Sequence, residues 1–427
     1  MKKQTKQTTP EVEEQNKVDL NILISGTGNI HIEKDGESSF KIKSDKLLGT
    51  SSDQETSTSV EDAKNKANQL VYKQLATRLE KSIRTENLVL LTGAGASKEC
   101  GGPSMADLWK TTSEDTSITS DWNKLLESSG YKPEKDKENL EELLSNLQTI
   151  THAYEINKSK GEDFSAVIKK IESKILTECK KVSIKEKSSH VRFLTRVLKG
   201  RSLSSPRLKV FTLNYDTAFE QAGEKIGAVV IDGFLFSFNK IFKGTEFDLD
   251  IVQRERSRIH YEENFYNKVF QLYKIHGSVD WKSDKINSII SKDGTTDEPV
   301  LIYPNSSKFE KSFEMPFFEM VSRLQNVLRK ENTTLFIIGY GFGDEHVNRI
   351  ISESIKNNLN LEIFIIKPTL AGENINEYIE DVKKGSMNIH LISNTFEQFS
   401  SGLPDVKIGG LFSDDENNGN KYEEKSI

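Results

Sequence analysis

A chain of 427 residues with 35% hydrophobic and 29% charged side chains is long enough for one large domain with insertions, or for two to three modest ones. Its 59 basic and 65 acidic residues leave a formal charge of −6, which excludes a global positive field for nucleic acid while leaving a local basic patch open. Two cysteines, Cys100 and Cys179, exclude a disulfide framework and a four-cysteine zinc site, and no apolar run approaches the roughly 18 residues that span a bilayer. The basic N-terminus also lacks a signal peptide's apolar stretch, so the expected location is the cytoplasm.

Residues 1–60 read as a polar N-terminal region. Within it, Val18, Leu20, Ile22 and Ile24 alternate, as do Ile30 and Ile32, then Phe40 and Ile42, a period of two that predicts two or three short strands. So small a sheet buries little alone, so it is expected to pack on the main body or on another subunit. "LLGTSSDQETSTSVED" reads as a Ser/Thr-rich linker, and a helix follows over about 61–84. A catalytic-sized domain is expected over 61–403. "NLVLL" is its first apolar strand, and a helical insertion over 104–200 shows three-to-four spacing of apolar residues. Strands resume at 208–213, 228–231 and 269–277, inside or beside a smaller subdomain over 232–303. Its "NSIISKDGTTDEPVLIYP" predicts a β-hairpin turning at "KDGTT". After 333 the pattern alternates strand and helix with near-continuous apolar strands. The predicted fold class is therefore α/β, a Rossmann-like parallel sheet covered by helices on both faces. The acidic tail 404–427 is expected to be disordered.

Four motifs sit at strand ends. "LVLLTGAGASKECGGPS" takes an apolar strand into a glycine turn, where Gly93 and Gly95 lack Cβ atoms and Ser97 can cap the helix or meet a phosphate. The alternative is ordinary strand–helix punctuation. A hydride-transferring dehydrogenase is disfavoured, because the position about 20 residues on, where its acidic residue belongs, falls in the polar "SEDTSITSDW". "VFTLNYDTAFE" ends a strand in Asn214-Tyr215-Asp216, with N-capping as the plain alternative for Asp216. "LYKIHGSVDW" ends one in His276-Gly277, where the plain alternative is a structural histidine. "LFIIGYGFGDEHVNRII" repeats the glycine turn, with Asp344 as a possible helix N-cap and His346 as an exposed first-turn residue.

The order of these motifs resembles the sirtuin-like (silent information regulator) NAD-binding domain. Gly101 and Pro103 stand four and six positions after Ser97, which is that family's first-motif spacing. "TLNYD", "GYGFGDEHVN" and "SNTFEQFS" look like the bacterial branch associated with antiphage defence. The chain departs from deacylase sirtuins in lacking Asp-Phe-Arg after Pro103 and in having too few cysteines for a zinc ribbon, which puts an acyl-lysine channel in doubt.

The resemblance implies NAD as a substrate and no metal. Gly93, Ala94, Gly95, Ser97, Pro103 and Thr212 would bind the cofactor, with Gly341, Gly343 and Asp344 on the adenosine side. Asp216 would contact the nicotinamide carboxamide, Asn214 a ribose hydroxyl and water, and His276 would serve as general base, its ordinary pKa suiting that role. With water as acceptor, the products are nicotinamide and ADP-ribose. Such an activity needs restraint, so the resemblance implies a homo-oligomer and a protein partner such as a HerA-type ATPase or an Argonaute. No appended ligand-sensing domain is expected after 402, so the trigger is expected to come from a partner or from assembly. Rival readings are a non-catalytic NAD-binding or scaffold subunit, a deacylase, and a nuclease suggested by "DEH".

Overall fold

The computed structural model describes residues 76–404, apart from 120, 135–137, 159–160, 254–263, 285–288, 293–298, 303–313, 371–372 and 385–387. It also describes five short N-terminal strands. These are β1 (Val18–Asp19), β2 (Ile22–Leu23), β3 (Ile30–Lys34), β4 (Phe40–Ser44) and β5 (Thr56–Ser57). The main body adds β6 (Asn87–Thr92), β7 (Leu208–Thr212), β8 (Val229–Ile231), β9 (Val269–Lys274), β10 (Gly277–Asp284), β11 (Ile289–Lys292) and β12 (Pro299–Leu301). The last third contributes β13 (Thr333–Ile338), β14 (Leu361–Lys367) and β15 (Ile389–Ser393).

The central sheet has the order β2-β15-β14-β13-β6-β7-β9-β8, with seven strands parallel and β2 antiparallel at one edge. Its strands are apolar along their length because both faces are covered: all six residues of β6 and of β13 are buried. One face packs Leu88, Leu90, Val210 and Phe336 against the helices 76–83, Ser189–Lys199, Ala218–Lys225 and Phe396–Gly402. The other packs Leu91, Phe211 and Ile337 under Phe317–Leu328, Glu345–Asn357 and Glu373–Lys383. The expected α/β class is the observed one.

The 104–200 region is helical, as its periodicity predicts. Met105–Ser113, Trp122–Ser129, Leu140–Ile156 and Ser165–Lys180 close a third apolar cluster around Leu140, Leu144, Leu147 and Ile171. Local chemistry sets their starts: Ser104 and Asp107 form a reciprocal capping box, and the Asn139 side chain accepts from Glu141 N. Tyr215 and Val279 pack on this cluster and so tie the insertion to the strand ends.

Three expectations need correction. "NSIISK" and "EPVL" do not pair with each other; β11 and β12 flank β10 in a three-stranded antiparallel sheet, because β10 turns straight out of His276-Gly277 and lies between them. The alternating run from Val18 to Ile24 is not one strand, since β1 joins a small sheet with β3, β4 and β5 while β2 caps the edge of β15. Covering that edge removes an exposed row of backbone donors and acceptors. The Ser/Thr-rich segment is not all linker, because Thr56–Ser57 pairs with β4. Of the helix expected over 61–84 the described part is 76–83, and residues 1–17 and 405–427 lie outside the described residues.

His190, at the start of the Ser189–Lys199 helix, is fully buried between the rings of Phe219 and Phe396. Burial holds its imidazole down at about 4. The unfolded chain therefore binds this proton first, so stability contributed by neutral His190 is lost as pH falls from 6.5 through about 4. The full gap is worth roughly 3 kcal/mol. Urea unfolding at pH 7 and pH 4.5 is expected to show a smaller acid-induced loss in His190→Phe than in the native chain.

Candidate functional site

The carboxyl ends of β13, β6, β7 and β9 lie side by side, and the chain reverses direction across the sheet between β6 and β13. From β6 the succeeding strands run outward one way through β7 and β9, and from β13 the other way through β14 and β15. In open parallel sheets the crevice at such a switch point is where ligands bind. The glycine turns following β6 and β13 both open there.

These two turns interlock. Gly93 N donates to Ile338 O at 3.2 Å, and Gly95 N to Gly339 O at 2.9 Å. A Cβ on Gly93 would stand 2.9 Å from Gly339 O and Tyr340 Cα, and one on Gly95 would stand 2.8 Å from Gly339 Cα. The missing Cβ atoms therefore admit the neighbouring backbone. Gly339 is the tightest position. Its φ is +63° and an added Cβ would meet Ala96 N at 2.3 Å. Gly341 and Gly343 are exposed and have open space around them, so the glycine this turn requires is one that the motif reading passed over.

Ala94–Ser97 forms a single helical turn with Gly93 at its N-cap, continued by a 3-10 turn over Lys98–Cys100. Ser97 lies at the end of that turn and does not cap its start. Its buried hydroxyl instead accepts from Asn214 Nδ2 at 2.9 Å, and the same amide nitrogen donates to Gly93 O at 3.0 Å. Both amide hydrogens of Asn214 are thus committed, which leaves its Oδ1 as the acceptor it can offer. Thr212 Oγ1 accepts from Asn214 N at 3.1 Å. Gly102 folds back on Ser97, with Gly102 N donating to Ser97 O at 2.9 Å, and Pro103 follows half-buried.

Asp216 is buried, and its Oδ1 accepts from Ala218 N at 2.9 Å at the start of the Ala218–Lys225 helix. The N-cap position itself is Thr217, so Asp216 stands one residue before the cap and meets the first helical N–H from there. Tyr215 donates its hydroxyl to Ile302 O at 2.6 Å. Beneath this turn lies an ionic cluster that the motifs did not reveal. Lys274, buried in β9, donates to the Asp216 carbonyl, to Tyr215 O at 3.3 Å and to Glu220 Oε1 at 3.1 Å. Lys292 Nζ sits 2.9 Å from Asp232, 3.4 Å from Asp280 and 3.8 Å from Glu220. Burial pushes the Glu220 carboxyl up against the pull of both lysines, whereas at Asp280 Lys292 and Lys274 outweigh burial and hold the carboxyl below its ordinary range. The one visible signal was a lysine in the otherwise apolar "VFQLYKI".

His276 is buried where β9 turns into β10. Its Nε2 stands 3.8 Å from Asp344 Oδ1, and its ring centroid 5.6 Å from that of His346. Asp344 occupies the N-cap position of Glu345–Asn357, yet its side chain makes no cap bond. His346 is half-buried against His276, not exposed as expected. Tyr340 OH braces this loop through Asn348 Oδ1 at 2.9 Å and Asp344 N at 3.2 Å. The structure thus joins Gly93, Ser97, Thr212 and Asn214 directly, and separately joins His276 to Asp344. Ala94 is exposed and Gly341 and Gly343 stand apart. Among the described residues no group of three or more histidine, cysteine or carboxylate side chains could hold a metal ion, and no helix is long and apolar enough to cross a membrane.

Residues 208–389 match the family model of the SIR2-like domain. That stretch is the SIR2-like part of the chain. Among solved structures it is similar to a mutant Sir2 homologue in complex with ADP-ribose, at 12% identity and a TM-score of 0.41 over 76% of this chain and 92% of the other. It is likewise similar to a Sir2 homologue in complex with NAD, at 14% identity and a TM-score of 0.36 over 76% of this chain and 90% of the other. No curated protein matches the sequence.

Interlocked turns make a sharp stability prediction. Gly339→Ala combines a disfavoured positive φ with a backbone overlap and is expected to cost roughly 2 kcal/mol or more. Gly341→Ala, in open space, is expected to stay within about 0.5 kcal/mol. Denaturant midpoints of the two variants check this.

Proposed function

We propose that the SIR2-like domain binds NAD at the carboxyl edge of its sheet and hydrolyses it to nicotinamide and ADP-ribose. The observation that carries the reading is Asn214, fixed by Gly93 and Ser97 at the switch point with its carbonyl oxygen free to accept. The nicotinamide–ribose bond breaks through an oxocarbenium-like transition state, so the site must orient the ribose and bring water to C1′. Asn214 Oδ1 accepts from water or a ribose hydroxyl. His276 takes the proton released, and the Asp344 carboxylate at 3.8 Å stabilises the imidazolium that results. With Oδ1 of Asp216 committed to Ala218 N, its other oxygen faces the task of meeting the carboxamide.

Nicotinamide departs as a neutral molecule, water supplies the new oxygen at C1′, and one proton is released. Water is favoured over an acyl-lysine because Pro103 leads directly into the Ser104 capping box, with no Asp-Phe-Arg, and the two cysteines cannot build a zinc ribbon. Uncontrolled NAD loss is costly to a cell. The reading therefore includes assembly with further copies or with a HerA-type ATPase or Argonaute partner, in the setting of bacterial antiphage defence.

A non-catalytic NAD-binding or scaffold role is the second reading. It is favoured by the internal use of the Gly93 and Gly95 amides, which leaves them no hydrogen to donate to a diphosphate. Incubating the full chain with NAD, alone and with its genomic neighbour, separates the two. Nicotinamide and ADP-ribose release is expected, falling at least about 100-fold in Asn214→Ala and in His276→Ala. Turnover unchanged in both variants contradicts the assignment, and NAD binding without turnover under either condition favours the scaffold.

A further inference from the structure

A cavity lies elsewhere, between the sheet and the Phe317–Leu328 helix. It encloses about 320 Å³ and is lined in part by Lys209, Tyr273, Ser322, Arg323, Asn326 and Lys330. Lys209 is the second residue of β7, and Lys330 lies in the turn that leads into β13, so the cavity reaches the amino-terminal edge of the sheet. The candidate NAD site opens at the opposite edge.

Lys209 is out of place by the logic of the sheet. Its neighbours along β7 alternate between two buried faces, with Leu208 and Val210 in one core and Phe211 in the other. Strand alternation therefore points Lys209 to the face covered by Phe317–Leu328, where an apolar side chain is the rule. Burying a charge there is costly unless something compensates it.

Among the described residues that compensation is partial: Asp248 attracts Lys209 without forming an ion pair with it. Arg323 consumes the nearest carboxylates: it binds Asp248 through NH1 at 2.7 Å and NH2 at 2.9 Å, and Glu319 through Nε at 2.6 Å. Nearby Arg201 adds a further positive charge and spends its donors on the carbonyls of Ile83, Thr85, Glu86 and Pro206. Among the described residues neither Lys209 nor Lys330 forms an ion pair. Nor do helix-end carbonyls fill the role. Leu328 O and Lys330 O accept from Asn358 Nδ2, and Lys330 O also from Thr333 Oγ1.

Lys209 and Lys330 form no ion pair among the described residues, and with Arg323 they outnumber the single carboxylate lining the cavity, Glu319, an excess of positive charge that suits a ligand of about two negative charges. We propose that this cavity is a second ligand site, which takes a phosphate-class dianion between Lys209 and Lys330, with the Ser322 hydroxyl and Asn326 amide as further donors. Burial, with Lys330, Arg201 and Arg323 nearby, brings Lys209 down to about 8, so the site is strained in the direction that an anion relieves. Tyr273 is already sandwiched between Phe211 and Phe247 at centroid distances of 4.4 and 4.2 Å, so its ring cannot stack on a base. Recognition therefore rests on the phosphate group, free or carried as a phosphomonoester.

The test is equilibrium dialysis of the full chain with labelled inorganic phosphate in chloride buffer of fixed ionic strength, with AMP as competitor. Binding to the native chain is expected to weaken roughly tenfold in both Lys209→Met and Lys330→Gln. The exposed Lys330 keeps the experiment informative if the buried variant folds poorly. Asn214→Ala is expected to retain binding, which separates this site from the proposed NAD site. Displacement by AMP that depends on the same two lysines supports the proposal with a phosphomonoester as ligand, and phosphate binding that AMP leaves intact supports it with the free ion. Absence of phosphate binding, or equal binding by native chain and both lysine variants, overturns it.

Discussion

The carboxyl edge of the sheet depends on one close approach, the backbone of Gly339 lying against that of Gly95. A 2.9 Å hydrogen bond from Gly95 N to Gly339 O fixes it, and neither position leaves room for a Cβ. Adjacent parallel strands normally diverge at a switch point, because their following helices pack on different faces. Here the two turns are held together beside the crevice. Asn214 then reaches from the third strand to Gly93 O and Ser97 Oγ, so three consecutive strand ends share one set of bonds. Positioning of this kind suits chemistry in which orientation, more than a strong reagent, lowers the barrier.

Support for that edge comes from below. Lys274 holds the Tyr215 and Asp216 carbonyls, Glu220 answers its charge, and Lys292 joins Glu220 to Asp232 and Asp280. Buried ion clusters contribute little net stability by themselves, since desolvation offsets much of the attraction. Removing one partner, however, strands the rest. The cluster therefore specifies a single geometry for the "NYD" turn at the point where the main sheet, the small β10–β11–β12 sheet and the helical insertion meet. On the far side of the crevice, Tyr340 performs a similar bracing of the loop that carries Asp344 and His346.

The sequence carried the architecture in its apolar periods. Strands buried on both faces read as continuous hydrophobic runs, and β6, β7, β9, β13, β14 and β15 were legible for that reason. Pairing was less so. "NSIISK" and "EPVL" look like a hairpin locally, but a strand beginning at Gly277 takes the place between them, a long-range choice that no local pattern encodes. At the site, the strand-end motifs drew attention to Asn214, Ser97 and His276, which lie at the carboxyl edge, while the contacts of individual glycines were not legible. A glycine's backbone requirement depends on what lies opposite it in space. Gly339, ending an apolar strand, offered no local sign that it faces Ala96. Lys209 and Lys274 were visible as charges within apolar strands, yet their opposite circumstances, one partnered and one not, follow only from tertiary packing.

The domain thus presents two edges of contrasting chemistry, an interlocked polar crevice at the carboxyl ends and a cationic cavity toward the amino ends. The central claim concerns the first, that NAD is held against the turns following β6 and β7. Hydrogen–deuterium exchange of the full chain with and without NAD tests it directly and needs no turnover. The account expects NAD to slow exchange over 93–103 and 212–218. Unchanged exchange in both segments at saturating NAD, or protection confined to other parts of the fold, would contradict it.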